Sequence, residues 1–138
     1  MTTSEFATTL LANAEKQLKV CLADLSDEQY RAEPVEGMMS AKDLVLHLID
    51  VYIAVQDMAK GVDHLWGSHH SPDTSLEQDC VLLWKHRATA VEIAMAHLED
   101  KPAYAMDYLI EHDFYHIGQI CWLRKKLQSD WTTYEIYR

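Results

Sequence analysis

The chain has 138 residues, enough for one domain with a single hydrophobic core, and we expect that domain to span residues 1–138. A formal net charge of -10 argues against nucleic acid or an anionic membrane surface as a partner, because both would repel the chain. Hydrophobic residues make up 49% of the sequence, with 4 Gly and 3 Pro, which favours a packed and mainly helical fold.

The start of the chain and its cysteines predict a cytoplasmic protein. The first residues lack the basic and apolar regions of a signal peptide, and the most apolar segment, 44–55, is interrupted by His47 and Asp50. The cysteines are widely spaced and form no Cys-x-x-Cys pair: Cys21, Cys80 and Cys121. This pattern argues against a disulfide framework or a zinc ribbon, so we expect reduced thiols that pack as small apolar side chains.

Apolar residues recur every three or four positions over residues 4–24, which predicts a first amphipathic helix. A linker over residues 26–39 follows. Within it, Ser26 can cap a short helical turn, whereas Pro34 and Gly37 prevent a longer helix.

A second helix is predicted over residues 40–60, because Ser40 and Asp43 form a capping-box pattern at its start and Gly61 ends it. The next segment, 61–73, is rich in Gly, Ser, Pro and His and predicts a solvated loop. Its histidines are not expected to bind metal, because a flexible loop loses conformational entropy when it supplies ligands. They are His64, His69 and His70.

The third helix is expected to begin with a capping box of Thr74 and Glu77 and to extend to about Leu98. Pro102 suits the first turn of a fourth helix, which continues to about Gln128. Four helices of similar length with one core predict a four-helix bundle. The loop of about 13 residues after the second helix can cross the bundle, so helices two and three are either parallel or antiparallel.

The pair His112-x-x-x-His116 is the most informative motif in the chain. Residues four apart lie on one face of a helix, so two imidazoles at this spacing can bind one metal ion. With 8 His in 138 residues, a chain of this composition contains by chance about half a His-x-x-x-His pair on average, so the spacing needs further support. A helical wheel directs both side chains into the bundle, where imidazole nitrogens without partners are costly.

His47 is the expected third ligand, because it lies on the apolar face of the second helix. If the second and fourth helices are antiparallel, its height along the bundle agrees with that of His112 and His116 within one turn, at about 1.5 Å per residue. The alternative is a core imidazole bonded to a neighbouring carboxylate. Three inward histidines at matching height favour a metal site.

The residues around these histidines resemble a known family. Residues 40–48, SAKDLVLHL, and residues 112–120, HDFYHIGQI, resemble the DinB-like superfamily, and the resemblance extends over essentially the whole chain in helix order. It implies an up-down-down-up four-helix bundle with a crossover between helices two and three, often assembled as a homodimer. It also implies a divalent metal held by His47, His112 and His116.

Three neutral imidazoles suit Zn or Ni first, and also Mn, Fe or Cu, and they leave coordination positions open. We therefore expect a metal-dependent enzyme that acts on a small molecule. The resemblance implies a low-molecular-weight thiol as a substrate, and S-transfer, hydrolysis or isomerisation as the reaction. The alternative is a non-catalytic or vestigial metal-binding dimer with a stress-related or interaction role.

Four polar residues are further site candidates. Gln119 shares the ligand face and can orient a bound water or substrate, and Asp50 and Tyr115 flank the histidine faces as acceptor and donor. Arg87 interrupts the apolar stripe of the third helix, where it can receive a substrate carboxylate. For each, the alternative is an ordinary solvated side chain. Asp113 lies off the ligand face and is expected on the acidic surface.

Helices two and four each carry a second apolar stripe opposite the ligand face. These stripes consist of Val45, Ile49 and Tyr52 and of Ile110, Phe114, Ile117 and Cys121. Either the linker and the aromatic tail cover them or a second subunit does. We expect a homodimer.

Overall fold

The structure is a computed structural model that describes residues 1–138 and contains helices but no strands. Its elements in chain order are α1 (Thr3–Leu22), α2 (Asp27–Arg31), α3 (Ala41–Lys60), α4 (Leu76–Ala96), α5 (Ala103–Ala105), a π-helical turn (Met106–Ile110), α6 (Glu111–Leu127) and a 3₁₀ helix (Thr133–Tyr137). The prediction of an all-α fold is confirmed. No helix combines the length and the hydrophobicity that a membrane crossing requires.

Local sequence signals set most helix boundaries. Ser26 and Ser40 each cap the following helix through a capping box, as predicted. Gly61 ends α3 with a φ of 70°, in the left-handed region that glycine adopts without a steric penalty. The linker therefore contains only the short helix α2, and α3 begins and ends where the sequence predicts.

The start of α4 differs from the prediction by one residue. Ser75 caps α4 through reciprocal hydrogen bonds with Gln78, so the expected cap by Thr74 is wrong. The Thr74 hydroxyl instead donates to the Asp79 carboxylate at 2.5 Å and accepts from Lys42 Nζ at 2.9 Å. Lys42 also pairs with Asp79 at 2.7 Å, and both side chains are buried. This cluster ties the start of α4 to the start of α3.

Helix α3 is the most deeply buried element, because nearly every residue from Ala41 to Val55 is shielded from solvent. It packs mainly against α4, while α1 packs mainly against α6. The C-terminal 3₁₀ helix packs back on α1, and Trp131 is buried with the Arg124 guanidinium 4.9 Å from its ring centre.

The second apolar stripes of α3 and α6 are covered within the single chain. Their buried members are Val45, Ile49, Tyr52, Ile110, Ile117 and Cys121. The stripes therefore give no reason for a partner subunit, and the homodimer remains a prediction that rests on the family resemblance alone.

Candidate metal centre

Three histidines from two helices meet at one point. His47 comes from the middle of α3, and His112 and His116 come from the first two turns of α6. Their nearest ring nitrogens all lie within 4.8 Å of one another, and Nε2 of His47 is 3.0 Å from Nε2 of His112. The structure thus brings together the three residues that the sequence singled out.

The centre lies at the side of the bundle rather than along its axis. His116 is buried, whereas His47 and His112 are half-buried. A surface depression lined by Asp107, Glu111, His112 and Tyr115 leads to it from solvent. The helical wheel directed both imidazoles of α6 into the core; His116 is buried as expected, whereas His112 is half-buried and its neighbour Asp113 is fully buried. The site is therefore accessible to a small molecule.

A π-helical turn immediately precedes the two histidines of α6. At this turn the Glu111 N–H bonds to the Met106 carbonyl, five residues back, instead of the usual four. The turn adds one residue to the helix and changes the rotational phase between the segments before and after it. A regular wheel drawn through residues 105–127 therefore assigns the faces of α6 incorrectly.

The environment keeps the imidazoles neutral. Burial lowers the pKa of His47, His112 and His116, and it lowers the pKa of His116 to about 4. Nδ1 of His116 donates to Oε1 of Gln119 at 2.6 Å, so this tautomer leaves Nε2 with a free lone pair. Neutral imidazoles with lone pairs directed at one point are the form that binds metal.

The donor set fits a divalent metal. Nε2 of His47 and Nε2 of His112 lie 3.0 Å apart and can form a hydrogen bond only if one of them carries a proton. Even then, the remaining lone pairs of the three imidazoles have no hydrogen-bond donor within the cluster. Zn–N bonds of 2.0–2.1 Å in a tetrahedral site place two nitrogens about 3.3 Å apart. The three histidine nitrogens, all within 4.8 Å of one another, are therefore close to the spacing that one ion requires.

Gln119 and Tyr115 lie next to the centre, as the sequence predicts. Nε2 of Gln119 donates to the Tyr115 hydroxyl at 3.4 Å, while its carbonyl oxygen accepts from His116. Tyr115 is 65% exposed, so its hydroxyl lies at the boundary with solvent. Together these two side chains fix the orientation of His116 and extend the site towards the outside.

The Asp50 carboxylate bonds to the loop after α3 and to none of the three histidines. Its carboxylate accepts from Nε2 of His64 at 2.5 Å and from the Gly67 amide at 2.7 Å, and Nδ1 of His64 bonds to Asp57 at 2.8 Å. The prediction that His64 is solvated is wrong, because its side chain is only 5% exposed. The signal in the sequence is that Asp50 and Asp57, seven residues apart, lie on one face of the helix, where a single imidazole from the following loop can bridge them.

Arg87 and Asp113 form a buried ion pair. Nη2 of Arg87 lies 2.9 Å from Oδ2 of Asp113, and the Tyr52 hydroxyl donates to Oδ1 at 2.5 Å. Arg87 also donates to Glu15 and to the Leu11 carbonyl. The prediction of a surface position for Asp113 is therefore wrong, and Arg87 is committed to the core rather than to a substrate carboxylate. The signal in the sequence is Arg87 itself, because an arginine within an apolar stripe indicates a buried acidic partner.

Comparison with known proteins identifies the family. The model of the DinB family matches residues 1–106, which include His47 and end before His112 and His116. No curated protein and no solved structure gives a significant match. Because the family match covers more than half of the chain, the chain belongs to the DinB family.

Proposed function

We propose that this chain is a divalent-metal-dependent enzyme that acts on a small molecule at the centre formed by His47, His112 and His116. The observation that carries the proposal is the convergence of three neutral imidazoles beside an opening to solvent. A structural zinc site has four protein ligands, whereas three histidines leave positions for water or substrate. Zn and Ni are the first candidates, and imidazole also suits Mn, Fe and Cu.

The proposed reaction is transfer of a low-molecular-weight thiol to an electrophile, with hydrolysis or isomerisation as related possibilities. A divalent metal held here would supply Lewis acidity, which lowers the pKa of a thiol or water at an open position. In S-transfer, the thiol releases its proton to solvent and its sulfur bonds to the electrophilic carbon, which releases its leaving group with the bonding electrons.

The side chains of this protein have separate roles in the proposed reaction. Gln119 holds His116 in the tautomer that presents Nε2. The exposed Tyr115 hydroxyl is available to donate a hydrogen bond to a substrate. The nearby carboxylates of Asp50 and Asp113 already accept hydrogen bonds from their own chain, so neither is proposed as a general base.

We also propose that the four long helices follow an up-down-down-up order with a crossover between α3 and α4. Lys42 near the start of α3 pairs with Asp79 near the start of α4. Gln56, further along α3, contacts His86, further along α4, at 3.1 Å. Contacts that advance in the same direction along both helices support a parallel pair.

The contacts between α3 and α6 support the opposite relation. Leu44, near the start of α3, lines one groove together with Gly118 and Leu123 of α6. Tyr52, further along α3, bonds to Asp113, which lies nearer the start of α6. This antiparallel packing brings the single histidine of α3 level with the pair of α6.

A cytoplasmic location is also proposed, and the free thiols of the three cysteines support it.

The test uses the full chain purified without a histidine tag. We expect one equivalent of divalent metal by elemental analysis, lost in His47→Ala, His112→Ala and His116→Ala. His97→Ala is the matched control, because His97 pairs with Asp100 on the surface. Turnover of a small thiol with an aryl halide should disappear in the same three variants.

The outcomes separate the alternatives. Metal binding without turnover on a panel of thiols and electrophiles would favour the non-catalytic metal-binding bundle. Absence of stoichiometric metal, together with unchanged stability of the wild type on addition of Zn or Ni, would contradict the proposed centre.

A further inference from the structure

An apolar groove lies beside the metal centre, between the linker before α3 and the exposed side of α6. Its volume is about 530 Å³, and six of its ten lining residues are hydrophobic. This volume is typical of pockets that hold small organic molecules, about 300–1,000 Å³. None of the lining residues is charged, although the chain carries a net charge of -10. The groove therefore differs in chemistry from most of the surface.

The groove is connected to the centre through two side chains. Gln119 and Tyr115 both line the groove, and Gln119 accepts the hydrogen bond from His116 at 2.6 Å. A molecule in the groove thus contacts the residue that orients a proposed metal ligand. This continuity assigns the groove to the site rather than to an unrelated part of the surface.

The groove also exposes large apolar side chains and a glycine. Met38, Met39 and Trp122 line it and remain 44%, 45% and 43% exposed. Such a cluster on a soluble surface marks a binding site, and methionine side chains adapt to ligands of different shape. Gly118 lies in the interior of α6, where glycine is unfavourable, and nothing lies within 4 Å of a Cβ built on it. Its missing side chain leaves space in the groove.

We propose that this groove binds the uncharged, apolar body of the substrate, with an aromatic ring as its preferred form. The inference rests on the proposed function, because the groove is a substrate subsite only if the centre is catalytic. The Trp122 and Tyr115 rings offer aromatic faces to such a body, and the uncharged lining gives no partner to an ionic group. A charged substrate portion would have to remain in solvent.

The test uses two fluorescent probes with the same ring system, namely N-phenylnaphthylamine, which is uncharged, and anilinonaphthalene sulfonate, which adds one negative charge. We expect the uncharged probe to bind about tenfold more tightly than the sulfonate. Gly118→Leu fills the groove and should weaken binding of the uncharged probe about tenfold or more. Ala88→Leu, on the exposed face of α4, adds a side chain far from the groove and should leave binding unchanged.

Circular dichroism and metal content should be unchanged in Gly118→Leu, which shows that the variant folds and keeps the centre. Equal binding of the uncharged probe to wild type and Gly118→Leu would overturn the subsite, even if metal binds as proposed. Probe binding that is lost in Gly118→Leu, in a protein that binds no metal, would refute the proposed function but leave the groove as a binding site. A wild-type dimer that Gly118→Leu converts to a monomer would also overturn the proposal, because a second copy would then occupy the groove.

Discussion

Removal of the Asp113 carboxylate should be the most destabilising single change at the centre of the bundle. This side chain is fully buried and accepts hydrogen bonds from Nε and Nη2 of Arg87 and from the Tyr52 hydroxyl. In Asp113→Leu the buried guanidinium loses its main counter-charge, and breaking such a pair costs about 3–5 kcal/mol. Chemical unfolding in urea, followed by circular dichroism, measures the loss.

Two comparisons make the prediction specific to the ion pair. Glu15→Gln removes the second carboxylate on Arg87, but Glu15 is 41% exposed and the loss should stay below about 1 kcal/mol. The double variant Arg87→Met, Asp113→Leu leaves no unpaired charge, so it should be more stable than Asp113→Leu alone. A cost of less than about 1 kcal/mol for Asp113→Leu, or additive losses in the double variant, would refute the reasoning.

Three further predictions concern individual side chains. The metal-free protein should lose about 3 kcal/mol of stability through His116 as the pH falls from 6.5 to about 4, because unfolded histidine protonates near 6.5 while His116 stays neutral to about 4. His116→Gln should reduce this dependence in urea titrations without abolishing it, because burial also lowers the pKa of His47 and His112. Burial lowers the pKa of His64, but its two carboxylate partners raise it by more, so the net shift is upward. The stabilisation by His64 is therefore complete at low pH and lost as the pH rises. His64→Gln should lower the free energy of unfolding more at about pH 6 than at about pH 9. Gln119→Leu should weaken Zn binding about tenfold by competition titration, whereas Tyr115→Phe should not.

Features governed by local sequence rules were predictable. The four long helices and the cap at Ser40 follow from patterns within a few residues, and the three-histidine cluster follows from the spacing of His112 and His116 and the height of His47. The partial exposure of His112 did not follow, because the π-helical turn changes the phase of the helix and no residue pattern predicts such a turn.

Features that depend on distant partners were missed. A helical wheel treats Asp113 as a solvated residue, since its partner Arg87 is 26 positions earlier in the chain. The burial of His64 likewise depends on two carboxylates of α3 that the folded loop brings next to it. In both cases the buried polar group is stable only because an opposite charge is buried with it, which periodicity cannot reveal.

The π-helical turn at Met106–Ile110 divides one continuous helix into a segment that packs in the core and a segment that carries two of the clustered histidines. Upstream of the turn, Tyr104 and Ala105 are buried in the core. Downstream, the rotation of α6 sets where the two imidazoles point. Because one extra residue turns an α-helix by about 100°, the turn offsets the face that carries the two imidazoles from the face that anchors the preceding segment, so one helix can serve the core and an accessible site in different directions.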